Sequence, residues 1–322
     1  MRRDRLGLTP CLLVLVFFGW STVYAQSVPR PIRIVTSAPG GGGDFIARIL
    51  AGGLSSTFGY QVIVENRGGA GGIIQTQIVK NANPDGNTLL IIQNQFWLFP
   101  FLQKNVPYDP VKDFLPVTQP DKSPNVLVVH PSLPVGSVRE FIAYAKARPG
   151  QLNFARPTTG SSTHLSGELL NDMADIKLVS IPYKGGADVL TSVLSGQAET
   201  AFMSLGAGGS QIKAGRLKAL AVSTMERSAA FPDLPTLNEA GVPGFESTQM
   251  NAIFVPAGTP ASVVNKLQQD FVRVLRSDDV KARLLSVGIE PVGSTPQELA
   301  ALIRSDMVKW GNLIKKLGLQ SN

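Results

Sequence analysis

Cysteine is all but missing from this 322-residue chain: Cys11 is the only one. A lone thiol closes no intramolecular disulfide and builds no Cys-based zinc site, so the fold must be held by its hydrophobic core. Histidine is nearly as scarce. His130 and His164 are the only two, they stand apart, and no cysteine is near to complete a metal site, so no metal is expected. Charged residues are sparse at 16% against 43% hydrophobic, a balance that argues against disorder. No basic run of the kind that marks a nucleic-acid surface occurs. Neither glycine run fits G-x-G-x-x-G and there is no G-x-x-x-x-G-K-[ST], so dinucleotide and P-loop sites are disfavoured and no cofactor is expected. The apolar stretch 11–20 (CLLVLVFFGW) is shorter than the roughly 20 residues that cross a bilayer.

That stretch has another use. Arg2, Arg3 and Arg5 precede it, and Val23-Tyr24-Ala25 follows with a small residue at its end, the layout of a secretory signal peptide. Residues 1–25 are expected to be removed by cleavage near Ala25, leaving a periplasmic protein. Cys11 opens the apolar core rather than marking the cleavage point, so a lipoprotein is not expected. The remaining chain carries 27 basic and 22 acidic residues, a net of +5 that gives small anions a mildly attractive field.

Strand and helix patterns then alternate almost throughout. Strands are predicted at 32–36, 61–65, 88–92, 126–129, 152–155, 178–181, 198–202, 217–222 and 252–255. Helices are predicted after an N-cap at Asp44, after Gly72, over 138–147, up to about 173, over 187–194, and over 261–275, 280–285 and 296–317. This alternation implies an α/β protein with parallel, doubly wound sheets. About ten strands crowd a single open sheet, so two sheets in two lobes are expected.

Ligands of such sheets bind beyond the carboxyl ends of the strands. Two strand-to-helix turns there are rich in glycine and hydroxyls: Ser37-Ala38-Pro39-Gly40-Gly41-Gly42-Gly43-Asp44, and Arg156-Pro157-Thr158-Thr159-Gly160-Ser161-Ser162-Thr163. Glycine lets backbone approach a ligand, and a helix start offers free N–H donors with a positive dipole end. A turn needing positive φ explains each run separately; the pair in separate lobes points to an anion gripped from both sides. His164 beside Ser161 and Ser162 leaves a hydrolase as the alternative, although no G-x-S-x-G elbow is present.

The chain resembles the Bug family of periplasmic solute-binding proteins, receptors associated with tripartite tricarboxylate transporters. The resemblance rests on Ala38-Pro39-Gly40-Gly41-Gly42 with Asp44, Val64-Glu65-Asn66-Arg67 with Gly69-Ala70-Gly71-Gly72, and Pro84-Asp85-Gly86. Further along come Pro107-Tyr108-Asp109-Pro110 with Asp113-Phe114, Gly160 to Leu165, Pro182-Tyr183-Lys184-Gly185, Pro256-Ala257-Gly258-Thr259-Pro260 and Glu290-Pro291-Val292-Gly293. It implies a two-lobed, Venus-flytrap α/β fold with crossover hinge strands: lobe one at 26–128 plus 247–322, lobe two at 129–246. It also implies no enzyme activity and a small carboxylate ligand, a dicarboxylate or an aromatic acid. The expected partner is a membrane transporter or, alternatively, a sensor protein, and the protein is expected to be a monomer that binds no nucleic acid.

Ligand contacts carried over from the resemblance are Ser37, Ala38, Gly40, Gly41, Gly42, Gly43 and Asp44 on one side. Opposite them stand Thr159, Ser161, Ser162 and Thr163, with Tyr183, Lys184 and Gly185. Three departures from the family pattern bear on the ligand. Met203-Ser204 replaces an Asp-Asn pair, which removes the partner an ammonium needs. Arg156 replaces a small residue and either pairs a second carboxylate or stays solvated. Phe96 and Trp97 stand in a usually more polar stretch, either as an aromatic wall or as core.

Overall fold

A computed structural model describes residues 31–320, so the expected signal segment 1–25 lies outside the described residues. β1 (Ile32–Thr36) leads into α1 (Gly42–Phe58), then β2 (Val62–Asn66), α2 (Ile73–Lys80), β3 (Thr88–Gln93) and α3 (Gln95–Leu102). A long β4 (Phe114–Val129) opens the second stretch: α4 (Val138–Lys146), β5 (Asn153–Arg156), α5 (Ser162–Ala174), β6 (Val179–Pro182), α6 (Gly186–Leu194), β7 (Thr200–Ser204), α7 (Leu205–Lys213) and β8 (Lys218–Val222). The chain closes with β9 (Thr248–Pro256), α8 (Ala261–Leu275), α9 (Asp278–Ser286), β10 (Glu290–Pro291) and α10 (Pro296–Lys316).

Strand order is β2-β1-β3-β9-β4-β7-β5-β6, with β8 and β10 also paired to β4. β1 lies parallel between β2 and β3, and β5 parallel between β6 and β7, as the strand–helix alternation predicts. β4 and β9 run antiparallel to their neighbours. β4 pairs with β9 from Phe114↔Pro256 to Pro124↔Thr248, and from Asn125 onward it pairs with β7 and β8. That change of partner makes β4 a crossover, joining the sheet of β1, β2, β3 and β9 to the sheet of β5, β6, β7 and β8 expected from the sequence.

Two elements depart from the sequence expectation. Residues 114–125 are strand although Pro116, Pro120 and Pro124 interrupt them; register shifts on either side of Thr118 accommodate Pro116 and Pro120. α3 (QFWLFPFL) is apolar on every side, so it shows no amphipathic period, and it is buried accordingly. Phe96 and Trp97 on it are fully buried. Phe96 packs against Tyr108, Phe114 and Phe254, and the Trp97 indole N–H donates to Asp306 at 2.9 Å. They belong to the core and form no wall of a ligand site.

Helices cover both faces of the β1–β3 strands. Ile46 and Leu50 of α1 meet Phe271 and Val274 of α8 over Ile34, Leu89 and Ile253. The opposite core runs from Trp97 and Phe254 through Leu127 and Phe202 to Phe245. A third cluster joins Val126, Val128 and Ala201 to Val189 and Val193 of α6. Among the described residues no helix is long and apolar enough to cross a membrane.

Candidate functional site

Four strand-to-helix turns meet at two adjoining cavities of about 310 and 410 Å³, which share Ser204, Ala207 and Gln249 in their walls. The smaller cavity is walled by Ser161, Ser162 and Thr163 at the start of α5, Gly185 and Gly186 at the start of α6, and Met203 and Ser204 entering α7. The larger is walled by Gly40, Gly41 and Gly42 at the start of α1 and by Leu205, Gly206 and Ala207 of α7. Each helix start leaves N–H groups without intrahelical partners and carries the positive end of its dipole. Among the described residues no Lys, Arg, Asp or Glu side chain lines either cavity; the polar lining is hydroxyls, backbone and the amides of Gln93, Gln95 and Gln249. Such a site attracts an anion through fixed dipoles rather than through an ion pair.

The first turn is held from behind. The α1 N-cap is Gly41, with extended backbone, and not Asp44 as the sequence suggested. Asp44 is the third residue of the helix, and its carboxylate reaches back to accept from Gly40 N–H at 2.9 Å and from Asn66 Nδ2 at 2.9 Å, with Arg48 Nε also at 2.9 Å. Burial works against ionisation, but these donors hold its carboxyl below the usual range. Asp44 therefore shapes the loop and does not line a cavity. Asn66 Nδ2 also donates to Ser37 O at 2.7 Å, fixing the other end of the loop. At position 42 an added Cβ would lie 2.9 Å from Gln93 Nε2 and 3.3 Å from Gln249 Nε2, so glycine there lets these two side-chain amides close over the turn.

The second turn is organised by His164, which is buried. Its Nδ1 accepts from Gly160 N–H at 3.0 Å, so the ring proton sits on Nε2, 3.4 Å from Glu168 Oε1. Burial disfavours the Glu168 carboxylate, but hydrogen bonds led by that from His164 hold its carboxyl below the usual range. Ser161 Oγ caps α5 by accepting from His164 N–H at 3.3 Å. Both ring nitrogens are thus occupied by Gly160 and Glu168, and among the described residues no serine nucleophile is paired with the ring. The hydrolase alternative loses its base.

Of the residues expected from the sequence, the structure brings Gly40, Gly41, Gly42, Ser161, Ser162, Thr163, Gly185, Met203 and Ser204 to the cavity walls. Ser37, Ala38, Gly43, Thr159, Tyr183 and Lys184 stand outside those walls. Arg156 is directed into its own turn, Nε donating to Ser180 Oγ at 2.9 Å and Nη1 to Thr159 Oγ1 at 3.0 Å and Pro157 O at 3.2 Å, so it does not face the cleft. Gln93, Gln95 and Gln249 were not anticipated, nor were Phe45, Val287 and Ile289, which line the larger cavity. Phe45 carried a partial signal: the positions three and seven residues on are Arg48 and Gly52, not large apolar residues, and in the structure it lies off the buried stripe of α1.

The crossover strands carry buried polar pairs beside the cleft. Asn251 Nδ2 of β9 donates to both carboxylate oxygens of Asp121 on β4, at 3.0 and 2.9 Å. Asn125 Nδ2 donates to Ser166 Oγ at 3.1 Å, which in turn donates to Ser247 Oγ at 2.7 Å.

Residues 46–319 match the tripartite tricarboxylate transporter family receptor. A UPF0065 protein from the tcbD–tcbE intergenic region of Pseudomonas sp. strain P51 is 36% identical over 91% of this chain and 88% of its own length. Among solved structures, Rpa4515 of R. palustris with adipate superposes with a TM-score of 0.82 at 32% identity, covering 91% of this chain and 99% of that one. MatC of Rhodopseudomonas palustris with bound malate gives 0.77 at 30% identity, covering 89% and 99%.

Proposed function

The chain belongs to the tripartite tricarboxylate transporter receptor family, and from that premise we propose that it binds a small carboxylate reversibly in the cleft and presents it to a membrane transporter. The family is one of substrate-binding receptors and not of enzymes. The observation that carries the reading is the convergence of four helix starts, those of α1, α5, α6 and α7, on cavities that no charged side chain among the described residues lines. A carboxylate held by backbone N–H groups, hydroxyls and amides is stabilised without a cation that would resist its release. Lobes at 26–128 plus 247–322 and at 129–246 would close on it about β4 and β9, and ligand would favour the closed form. Export to the periplasm with cleavage near Ala25 fits that role.

The lining also bears on which carboxylate. Met203 stands in the wall and, among the described residues, no acidic side chain does, so an amino acid's ammonium would lie unpaired. Acids without an amine are therefore the expected class. Native purification followed by mass spectrometry of the released ligand should yield such an acid. A thermal-shift series should raise the melting point with carboxylates, since a ligand that binds only the folded state at a hundred times its Kd adds about 2.7 kcal/mol. A shift with amino acids but not with the corresponding acids lacking the amine would overturn the reading.

A further inference from the structure

We propose that this cleft selects its carboxylate by an apolar body, and that Phe45, Val287 and Ile289 are the residues that read it. The proposal rests on the carboxylate reading above and names the ligand class more narrowly: a monocarboxylate carrying an aliphatic chain or an aromatic ring.

The two cavities differ in chemistry. The smaller is walled mainly by hydroxyls, amides and helix starts. The larger has Phe45, Leu205, Val287 and Ile289 in its walls. Phe45 and Val287 are each 37% exposed, whereas the large aromatics of the core are wholly buried, so neither is needed to fill the interior. Apolar side chains left open inside a concave site stand ready to cover apolar ligand surface.

The Val287–Ile289 segment is fixed where it is. Gly288 has φ +75°, and an added Cβ would lie 2.4 Å from Leu205 Cδ1, so its backbone rests directly on the first residue of α7. Val287 and Ile289, on either side of that contact, thereby become part of the cavity wall. The α1 start, in contrast, faces the junction of the two cavities: Gly42 lies under Gln93, which lines the smaller, and Gln249, which lines both. All four helix starts can then serve one carboxylate at the junction and in the smaller cavity. Among the described residues the lining of the larger cavity offers no Lys or Arg for a second one.

The test is calorimetric titration of the ligand-free, signal-free protein with butyrate, pentanoate, hexanoate, phenylacetate and malate. Affinity should rise about fourfold per methylene from butyrate to hexanoate. Hexanoate and phenylacetate should bind at least tenfold more tightly than malate. Val287→Asp and, independently, Phe45→Ser should each lower the hexanoate-to-malate affinity ratio at least tenfold; both sites are partly exposed and should fold. Val308→Asp, at a 65% exposed position on α10, should leave the ratio unchanged. Tight malate binding with no gain along the alkanoate series, or a ratio unmoved by both cleft variants, overturns this selection while leaving the carboxylate reading intact. Failure of every acid to bind overturns both.

Discussion

Raising the pH from 4 to 8 should weaken the fold through one buried carboxyl. Asp121 sits on the crossover strand β4 at 1% exposure, and the side chain and backbone of Asn251 are the groups that favour its charge. Lys122, its neighbour in sequence, is taken up by Glu290 at 3.3 Å. Burial pushes the Asp121 carboxyl up to about 7 from an ordinary 3.8, with the Asn251 bonds opposing the rise. The sign follows directly. Below pH 4 both folded and unfolded chains hold the proton. Between about 4 and 7 the unfolded chain releases it and the folded chain does not, so stability falls as pH rises and levels off above 7. At about 1.4 kcal/mol per unit, the loss reaches up to about 4 kcal/mol across that window. Asp121→Asn keeps the shape, removes the titration, and offers an N–H to Asn251 Oδ1, a buried acceptor with no partner among the described residues. The variant should match the parent near pH 4 and exceed it by about 2–4 kcal/mol at pH 8. Urea unfolding at pH 4.5, 6 and 8, compared through midpoints at constant slope, reads this difference. Identical pH dependence in parent and variant would mean that Asp121 is ionised in the folded protein, and the burial argument would be refuted.

His164→Ala should cost about 2–3 kcal/mol by leaving Gly160 N–H and Glu168 without their partner, yet change carboxylate affinity less than tenfold. A complete loss of binding in a stably folded variant would place the ring in contact with ligand. Trp97→Ala should destabilise by about 3–5 kcal/mol and leave the hexanoate-to-malate ratio unaltered; the opposite pattern would restore an aromatic wall at that position. Gly288→Ala should weaken alkanoate binding at least fivefold, because the added methyl pushes the 287–289 segment off Leu205 and strains a left-handed backbone; unchanged affinity would show that the segment plays no part in the wall.

Elements with a clear period were legible in the sequence. α4, α8 and α10 lie within a few residues of their predicted positions because a 3.6-residue period reports burial on one face, and β1 and β3 do so because short runs rich in Ile, Val and Leu bounded by turns read as buried strands. β4 was only half legible. Its Pro116, Pro120 and Pro124 read as loop, and only the partner switch and bulges of the tertiary structure make a strand there. α3 was hidden for the reverse reason: uniformly apolar sequence has no face to detect. At the site, glycine and hydroxyl turns were legible as chemistry because helix starts are local features. Asp44 was placed on the right turn with the wrong task, since only the fold shows its carboxylate turned back to Gly40 and Asn66. Gln93, Gln249, Val287 and Ile289 come from β3, β9 and the α9–β10 connection, and no local pattern announces that these segments meet.

On the proposed reading, fixed backbone dipoles from both sides of the cleft hold a negative charge. Paired titration of the ligand-free protein at pH 7 with an acid and with its uncharged amide, hexanoate against hexanamide and adipate against adipamide, tests that claim directly. Saturable one-to-one heat from at least one acid, with none from its amide at the same concentrations, is the predicted result. Equal binding of acid and amide, or of neither, would contradict it.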